Sequence, residues 1–371
     1  MAHDPDNLAE LWADIRDRID AIDEQLLGLL NQRAALAEEV AQRKRASGSG
    51  FYAPERERAI IDRLQSRNSG PFPTSSIRPV FQEVISACLS LEEGVRVSYL
   101  GPEGTFTHQA VRRHFGASAK TLPCGSISRV FSEVQSGVAD FGVVPVENST
   151  EGIVNHTLDS FLDSDLTIQA EIQVAVEHCL LARTDVGEGD IVRVYSHPQA
   201  LAQCRGWLDE NLPNAARVQA PSTAEAARSA AADGEGAAIA AELAGRLYGL
   251  VVLREKVQDN RDNSTRFLVV GRKDQAASAP KPGADYKTTL LMALSDKPGA
   301  LFQALQPLNL AGLNLTKIES RPSRRRAWDY VFFLDLDGHF ADASVAPVLA
   351  ELAASCQLFK VIGSYRKADD L

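Results

Sequence analysis

Phe141-Gly142-Val143-Val144-Pro145-Val146-Glu147-Asn148-Ser149-Thr150-Glu151-Gly152 runs from an apolar stretch straight into a polar, turn-forming cluster. A short apolar run bounded in this way reads as a buried strand, with the cluster at its carboxyl end. The same texture recurs on both sides. Val95–Leu100, Ile172–Leu181, Ile191–Tyr195, Ala237–Ala240 and Phe267–Val270 are β-rich, and Ala-rich helical stretches lie between them. Alternation of this kind predicts an α/β domain with a largely parallel sheet. Two further polar clusters end strands: Tyr99 to His108 (Tyr-Leu-Gly-Pro-Glu-Gly-Thr-Phe-Thr-His) and Tyr195-Ser196-His197-Pro198-Gln199. Ligands of open α/β sheets bind beyond the carboxyl ends of strands, where helix N-termini favour anions. One cluster alone is ordinary capping; three in one domain predict a binding cleft.

Towards the N-terminus the period changes from two to 3.6. Ile15, Ile19, Ile22, Leu26, Leu29, Leu30, Leu36 and Val40 recur at spacings of three and four, which predicts one long helix from Leu8 to Lys44. Ser47-Gly48-Ser49-Gly50 ends it, Pro54 opens a second helix to about Arg67, and a third follows over Ser76–Glu92. Arg33 and Lys44 lie seven and eighteen residues beyond Leu26, on the same face at ~100° per residue. Lys44, near a helix end, either snorkels or binds an anion. Arg33, in mid-helix on a buried stripe, needs a partner, and an anionic ligand inside the bundle supplies one. Arg16 lies about 25 Å from Arg33, so it reaches such a pocket only from a second copy of the chain.

Beyond Gly271, the segment 273–285 has a linker composition. A strand (Thr288–Ser295), helix (Gly299–Ala311), two strands (Asn314–Ser320, Trp328–Leu336), helix (Asp342–Ser355) and strand (Leu358–Ser364) then spell the ferredoxin-like βαββαβ order. The sequence thus predicts a multidomain fold: an all-α domain over 5–93, an α/β domain over 94–272, a linker, and a small α+β domain over 286–368.

The 371 residues carry 39 Lys+Arg and 49 Asp+Glu, a net charge of −10. This balance argues against nucleic acid or an anionic membrane as partner. Five dispersed cysteines read as reduced thiols. The polar Met1–Asn7 stretch and the lack of a ~20-residue apolar run complete the expectation of a cytoplasmic protein. Neither a metal-ligand cluster nor a Gly-rich phosphate loop is evident, so no cofactor is expected.

Three resemblances sharpen these readings. Ile15-Arg16-Asp17-Arg18-Ile19-Asp20, Arg33, Lys44, Pro54-Glu55-Arg56-Glu57-Arg58 and Ser86 to Glu92 together resemble the all-helical chorismate mutases over residues 8–92. That resemblance implies that Arg16 from a partner chain, Arg33 and Arg56 hold the carboxylates of chorismate. Glu57 takes the ring hydroxyl, Lys44 and Glu92 the ether oxygen, and Cys88 occupies a small polar position. The reaction is a concerted rearrangement, so the site must hold the compact conformer and stabilise charge growing on the ether oxygen.

Gly101 to Phe106, Val146-Glu147-Asn148-Ser149, Tyr195 to Gln199 and Thr265-Arg266-Phe267 appear in order and resemble prephenate dehydratase over residues 95–271. The resemblance implies two α/β lobes, as in periplasmic binding proteins, with the site between them. It marks Thr265 as the principal catalytic residue, with Asn148, Ser196, Gln203, Glu147 and Thr107 in the cleft. Prephenate loses carbon dioxide and hydroxide, and Thr265 donates a proton or hydrogen bond to the departing hydroxyl. In an extended segment Thr265 and Phe267 face one way and Arg266 the other, so Arg266 is either structural or a carboxylate binder. His197, before a helix-starting proline, reads as structural.

Asp296-Lys297-Pro298-Gly299-Ala300-Leu301 and Glu319-Ser320-Arg321-Pro322 resemble the ACT domains of phenylalanine-regulated enzymes over residues 286–366. Paired modules are then expected to bind phenylalanine near Gly299, Ala300, Leu301 and Asn314, with Glu319 and Ser320 nearby. All three modules in this order are similar to the bifunctional chorismate mutase/prephenate dehydratases. The implied enzyme makes phenylpyruvate from chorismate, is inhibited by phenylalanine, and is at least a homodimer. Rival readings are a dehydratase with an inert helical domain, a two-lobed binding protein without catalysis, and a preference for arogenate.

Glu92 stands where a neutral glutamine is frequent in such mutases, and only its protonated form can donate a hydrogen bond to the ether oxygen. Mutase activity is therefore expected to fall as pH rises through the ionisation of Glu92, and Glu92→Gln to flatten the profile. Initial rates of chorismate loss against pH for both proteins check this; coincident profiles remove that role for Glu92.

Overall fold

The computed structural model describes residues 5–47, 54–91, 94–275, 280, 284–323 and 330–368, with the side chains of 5–11, 44–47, 54–55 and 274 outside the description. The chain divides into two compact units. One holds the three N-terminal helices and the turn Phe115–Ala119; the other holds Arg96–His114 and everything after Lys120.

The first unit consists of α1 (Pro5–Ser47), α2 (Pro54–Arg67) and α3 (Thr74–Ser90). Among the described residues of its helices, Ala41, Ile61, Ile77, Ile85 and Cys88 are the buried apolar ones. The apolar stripe of α1 does not join them: Ile19, Ile22, Leu26 and Leu36 are 50%, 55%, 50% and 64% exposed. The expectation of a buried stripe within one chain is corrected on grounds of length. By the helical rise α1 extends about 64 Å while α2 and α3 reach about 21 and 26 Å, so they cover only part of it.

In the second unit the chain builds a first lobe from β1 (Arg96–Leu100), α4 (Phe106–Phe115), β2 (Lys120–Cys124), α5 (Ile127–Gln135), β3 (Phe141–Asn148), β4 (Gly152–Ile153), α6 (Asn155–Leu162) and β5 (Thr167–Ala175). It crosses to a second lobe made of β6 (Cys179–Ala182), β7 (Arg193–Ser196), α7 (Pro198–Gln203), α8 (Arg205–Asn211), β8 (Ala216–Gln219), α9 (Thr223–Ala232), β9 (Gly236–Ala240), α10 (Glu242–Tyr248) and β10 (Val251–Arg254). It then returns as β11 (Ser264–Gly271) into the first sheet, whose order is β2-β1-β3-β11-β5; the second is β10-β6-β9-β7-β8.

Two expectations are corrected here. The sheets are mixed, because the returning β11 runs antiparallel to both β3 and β5, and β6 antiparallel to β9 and β10. Ile172–Leu181 is two strands in different sheets, broken at Val176–His178 where the chain changes lobe. The sequence reading also missed β2, β8 and β10. All three are edge strands with mostly exposed or half-buried residues, so no apolar run marks them.

The C-terminal part is β12 (Tyr286–Ala293), α11 (Ala300–Leu310), β13 (Leu315–Pro322), β14 (Tyr330–Asp337), α12 (Ala346–Ala354) and β15 (Leu358–Arg366), with sheet order β13-β14-β12-β15. Leu290, Met292, Leu334 and Leu336 pack one face of this sheet on α11 and α12. Leu291, Phe333, Ile362 and Tyr365 pack the other on Ile168, Leu268 and Val270 of the first lobe. At Gly363 the two layers come so close that a Cβ would lie 2.4 Å from the Ile168 carbonyl oxygen, which only glycine allows.

A layer of charge lies across that junction. Arg266 Nη1 and Nη2 each donate to Asp335 Oδ2 at 2.8 Å, and Lys287 Nζ donates to Glu171 at 2.8 and 3.0 Å. Thr289 Oγ1 donates to Asp335 Oδ1 at 2.7 Å. Burial opposes the charge on Arg266, but Asp335 and Glu171 hold its pKa above the ordinary value. Burial, with Asp335, pushes the Tyr365 pKa well up, so it stays a neutral phenol.

Removing one partner of a buried pair leaves an uncompensated charge. Asp335→Asn is therefore expected to destabilise the protein by about 3 kcal/mol. A calorimetric melt would show the second unit unfolding several degrees lower; an unchanged melt would mean that Glu171 alone satisfies Arg266.

Candidate functional site

Strands β3 and β11 are antiparallel neighbours in register, Thr265 opposite Asn148 and Arg266 opposite Glu147. Alternation then sends Thr265 and Asn148 to one face and Arg266 and Glu147 to the other. The hydrogen bonds follow that division. Asn148 Nδ2 donates to Thr265 Oγ1 at 2.9 Å, to Asn263 Oδ1 at 2.8 Å and to the Ser264 carbonyl at 3.1 Å. Its Oδ1 accepts from the backbone of Thr150 and Glu151, both at 3.0 Å. Asn148 thus clamps the polar end of β3 to the start of β11, and its amide fixes the position of the Thr265 oxygen.

Glu147 and Arg266 are not brought to this face. Lys317 Nζ donates to Glu147 at 2.8 Å, and Arg266 joins Asp335, so both belong to the C-terminal junction. Arg266 is paired with Asp335 through both terminal nitrogens of its guanidinium. Phe267 is 1% exposed and packs within the domain.

The two crossings between the lobes run side by side. Val176 N donates to the Asn263 carbonyl, Val257 N to the His178 carbonyl, and His178 N to Gln258 Oε1. Gln203, at the end of α7, meets this strap: its backbone carbonyl accepts from Asp259 N at 2.8 Å, and its Oε1 lies 3.0 Å from His178 Nε2. Phe106, from the first lobe, sets its ring edge-on to His178 at a centroid distance of 5.4 Å.

Thr107 lies buried beside Phe106 in the first turn of α4. Ser196 is fully buried, and its Oγ donates to the Ile239 carbonyl at 2.6 Å, locking β7 to β9. His197 caps α7, its Nδ1 accepting from Gln199 N. Gly104 has φ +84° and approaches Ala244 of the second lobe so closely that a Cβ would lie 3.2 Å from its Cα. Asn263 and Phe106 lie within the motifs that carry the dehydratase resemblance but are given no role by it, and His178 lies outside them. Asn263 was visible beside Thr265, whereas His178 was hidden inside what read as one continuous strand.

In the helical unit Arg33 is half-buried on α1, Arg16 is exposed, and Cys88 is buried on α3. Arg56 is exposed and Glu57 half-buried in the first turn of α2. Among the described residues neither Arg16 nor Arg33 has an ion-pair or hydrogen-bond partner. The Lys44 side chain and all of Glu92 lie outside the described residues.

In the C-terminal module a cavity of about 170 Å³ is lined by Ser295, Asp296, Lys297, Ala300, Leu301 and Phe332, among others. Gly299, at φ +78°, caps α11 beside it. Ser320 pairs with Phe332 across the edge strand, with Glu319 next to it. Asn314 is not brought to the cavity within one chain. It donates to Asp337 at 3.1 Å, at the far end of β14 from Tyr330 and Phe332.

Three family models match the chain: Chorismate mutase type II over residues 15–93, Prephenate dehydratase over 97–275 and ACT domain over 288–354. The bifunctional chorismate mutase/prephenate dehydratase of Aquifex aeolicus is 46% identical over 359 residues, 96% of this chain and 98% of that one. That of Pseudomonas aeruginosa is 44% identical over 359 residues, 95% of this chain and 97% of the relative. A crystal structure of prephenate dehydratase from Arthrobacter aurescens in complex with L-Phe is 41% identical, with TM-score 0.67, covering 74% of this chain and 90% of that one. On a match of this extent, the chain belongs to the family of bifunctional chorismate mutase/prephenate dehydratases.

Proposed function

We propose that the helical domain, residues 5–93, rearranges chorismate to prephenate, and that the two-lobed domain, residues 94–272, converts prephenate to phenylpyruvate. Phenylalanine binds the C-terminal module, residues 286–368, and inhibits. The observation that carries the dehydratase assignment is the bond from Asn148 Nδ2 to Thr265 Oγ1. Because the threonine oxygen already accepts, its own O–H is left to donate. A hydroxyl aimed in this way assists the substrate's C4 oxygen as it leaves. The ring carboxylate departs as carbon dioxide, its bonding pair moves into the ring, and hydroxide is expelled and takes a proton to become water. Aromatisation supplies the drive, so a weak acid held in place suffices.

The mutase assignment is supported by the half-buried Arg33, which has no carboxylate partner among the described residues. Arg56, Glu57, Lys44, Cys88 and Glu92 complete the site. The open stripe of α1 is the natural seat of a second α1, and that pairing brings the partner's Arg16 to the pocket. The working form is therefore at least a homodimer. Two C-terminal modules meeting in the same assembly place Asn314 of one copy near Gly299, Ala300 and Leu301 of the other, with Glu319 and Ser320 alongside.

No helix among the described residues is long and apolar enough to cross a membrane. All five cysteines are unpaired, which supports a reducing, cytoplasmic setting.

Purified protein given chorismate alone is expected to release prephenate first and phenylpyruvate after a lag, with phenylalanine suppressing the second product. If chorismate persists while added prephenate is consumed, the mutase assignment fails. If neither reacts, a binding role replaces both, and consumption of arogenate in preference to prephenate would reassign the substrate.

A further inference from the structure

His178 is 2% exposed, and its Nδ1 is buried without a hydrogen-bond partner among the described residues. Its Nε2 faces Gln203 Oε1 at 3.0 Å. A neutral imidazole carries one N–H, and its placement decides which way the Gln203 amide points. With the proton on Nδ1, a buried donor would be orphaned, and Gln203 would have to turn its NH₂ inward to meet the bare Nε2. With the proton on Nε2, the orphan is only a ring lone pair, a less costly omission than a buried N–H. Burial pushes the His178 pKa below its ordinary value, against the opposing bond to Gln203, so the ring is neutral near pH 7.

Both partners are anchored independently of each other. The His178 backbone is held by Gln258 and Val257, the Gln203 carbonyl by Asp259, and Phe106 covers the imidazole from the other lobe. The Gln203 side chain is half-buried, and its Nε2 has no acceptor among the described residues.

We propose that His178 is a positioning residue of the dehydratase cleft: its Nε2–H donates to Gln203 Oε1 and so turns the Gln203 NH₂ towards the cleft as a fixed donor for the anionic substrate. The inference rests on the reading of Gln203 as a substrate-binding residue. The carboxylates of the dianion offer only acceptors, so an amide presenting its oxygen to them would repel, while one presenting its nitrogen binds. The imidazole removes that ambiguity before substrate arrives, and no rotamer has to be selected during binding.

The test is a double-mutant cycle on the full chain, reading prephenate kcat and KM with a melting temperature for each protein. His178→Phe, which keeps the ring volume, is expected to raise KM about tenfold, the worth of one hydrogen bond to a charged group, with kcat within about twofold. Gln203→Ala is expected to do the same, and the double variant to be no worse than Gln203→Ala alone. His178→Gln, whose amide nitrogen falls near the site of Nε2, is expected to recover most of the loss. Additive losses, or failure of His178→Gln to recover activity at an undiminished melting temperature, would overturn the proposal.

If Gln203→Ala behaves as wild type, the reading of Gln203 itself is at fault. Histidine ¹⁵N spectra, with the His178 signal assigned by its loss in His178→Gln, give a readout independent of activity. An Nε2-protonated neutral ring is expected at pH 7, and an Nδ1-protonated ring would overturn the proposal.

Discussion

The guanidinium of Arg266, buried against Asp335, is the interaction around which the second unit is arranged. A cation in that position needs a carboxylate, and the carboxylate comes from the C-terminal sheet. The residue before it in the strand, Thr265, carries the hydroxyl that Asn148 holds. One extended segment therefore serves two surfaces: Thr265 meets Asn148 on one face and Arg266 meets Asp335 on the other. Because a strand cannot rotate one residue without its neighbour, the position of Thr265 is tied to the fit of the C-terminal module. Lys317 on Glu147 repeats the connection one strand over, beneath Asn148, and Arg321 reaches Asp159 and Asn155 on α6.

The strand-end groups have their hydrogen bonds committed in known directions. Asn148 spends its amide on Thr265, Asn263 and the turn at Thr150, and Ser196 is locked to Ile239. Groups held this way need no reorganisation when charge moves beside them. The paired crossings at Val176–His178 and Val257–Asn263 fix how the two lobes meet, with Gln203 tied to both.

Much of this was legible in the sequence. The switch from a 3.6-residue to a two-residue period at Gly94, and the βαββαβ order after the linker, identified the three fold types. The opposite facing of Thr265 and Arg266 followed from strand geometry alone. Other features depended on tertiary partners that no local pattern reveals. Glu147 sits in a strand-end motif, yet its partner is Lys317, 170 residues away on the C-terminal sheet. His178 looked like a strand residue because apolar strands flank the break on both sides. The α1 stripe looked like core because periodicity reports which face is apolar, not what covers it.

That the two reactions reside in separate units, with Thr265 serving only the second, is tested most directly by giving Thr265→Ala protein chorismate at neutral pH and following both products. The expected result is prephenate accumulating at the wild-type initial rate, with phenylpyruvate formation reduced ~10²-fold or more, as for loss of a positioned donor. Phenylpyruvate forming at the wild-type rate would contradict the assignment of the cleft.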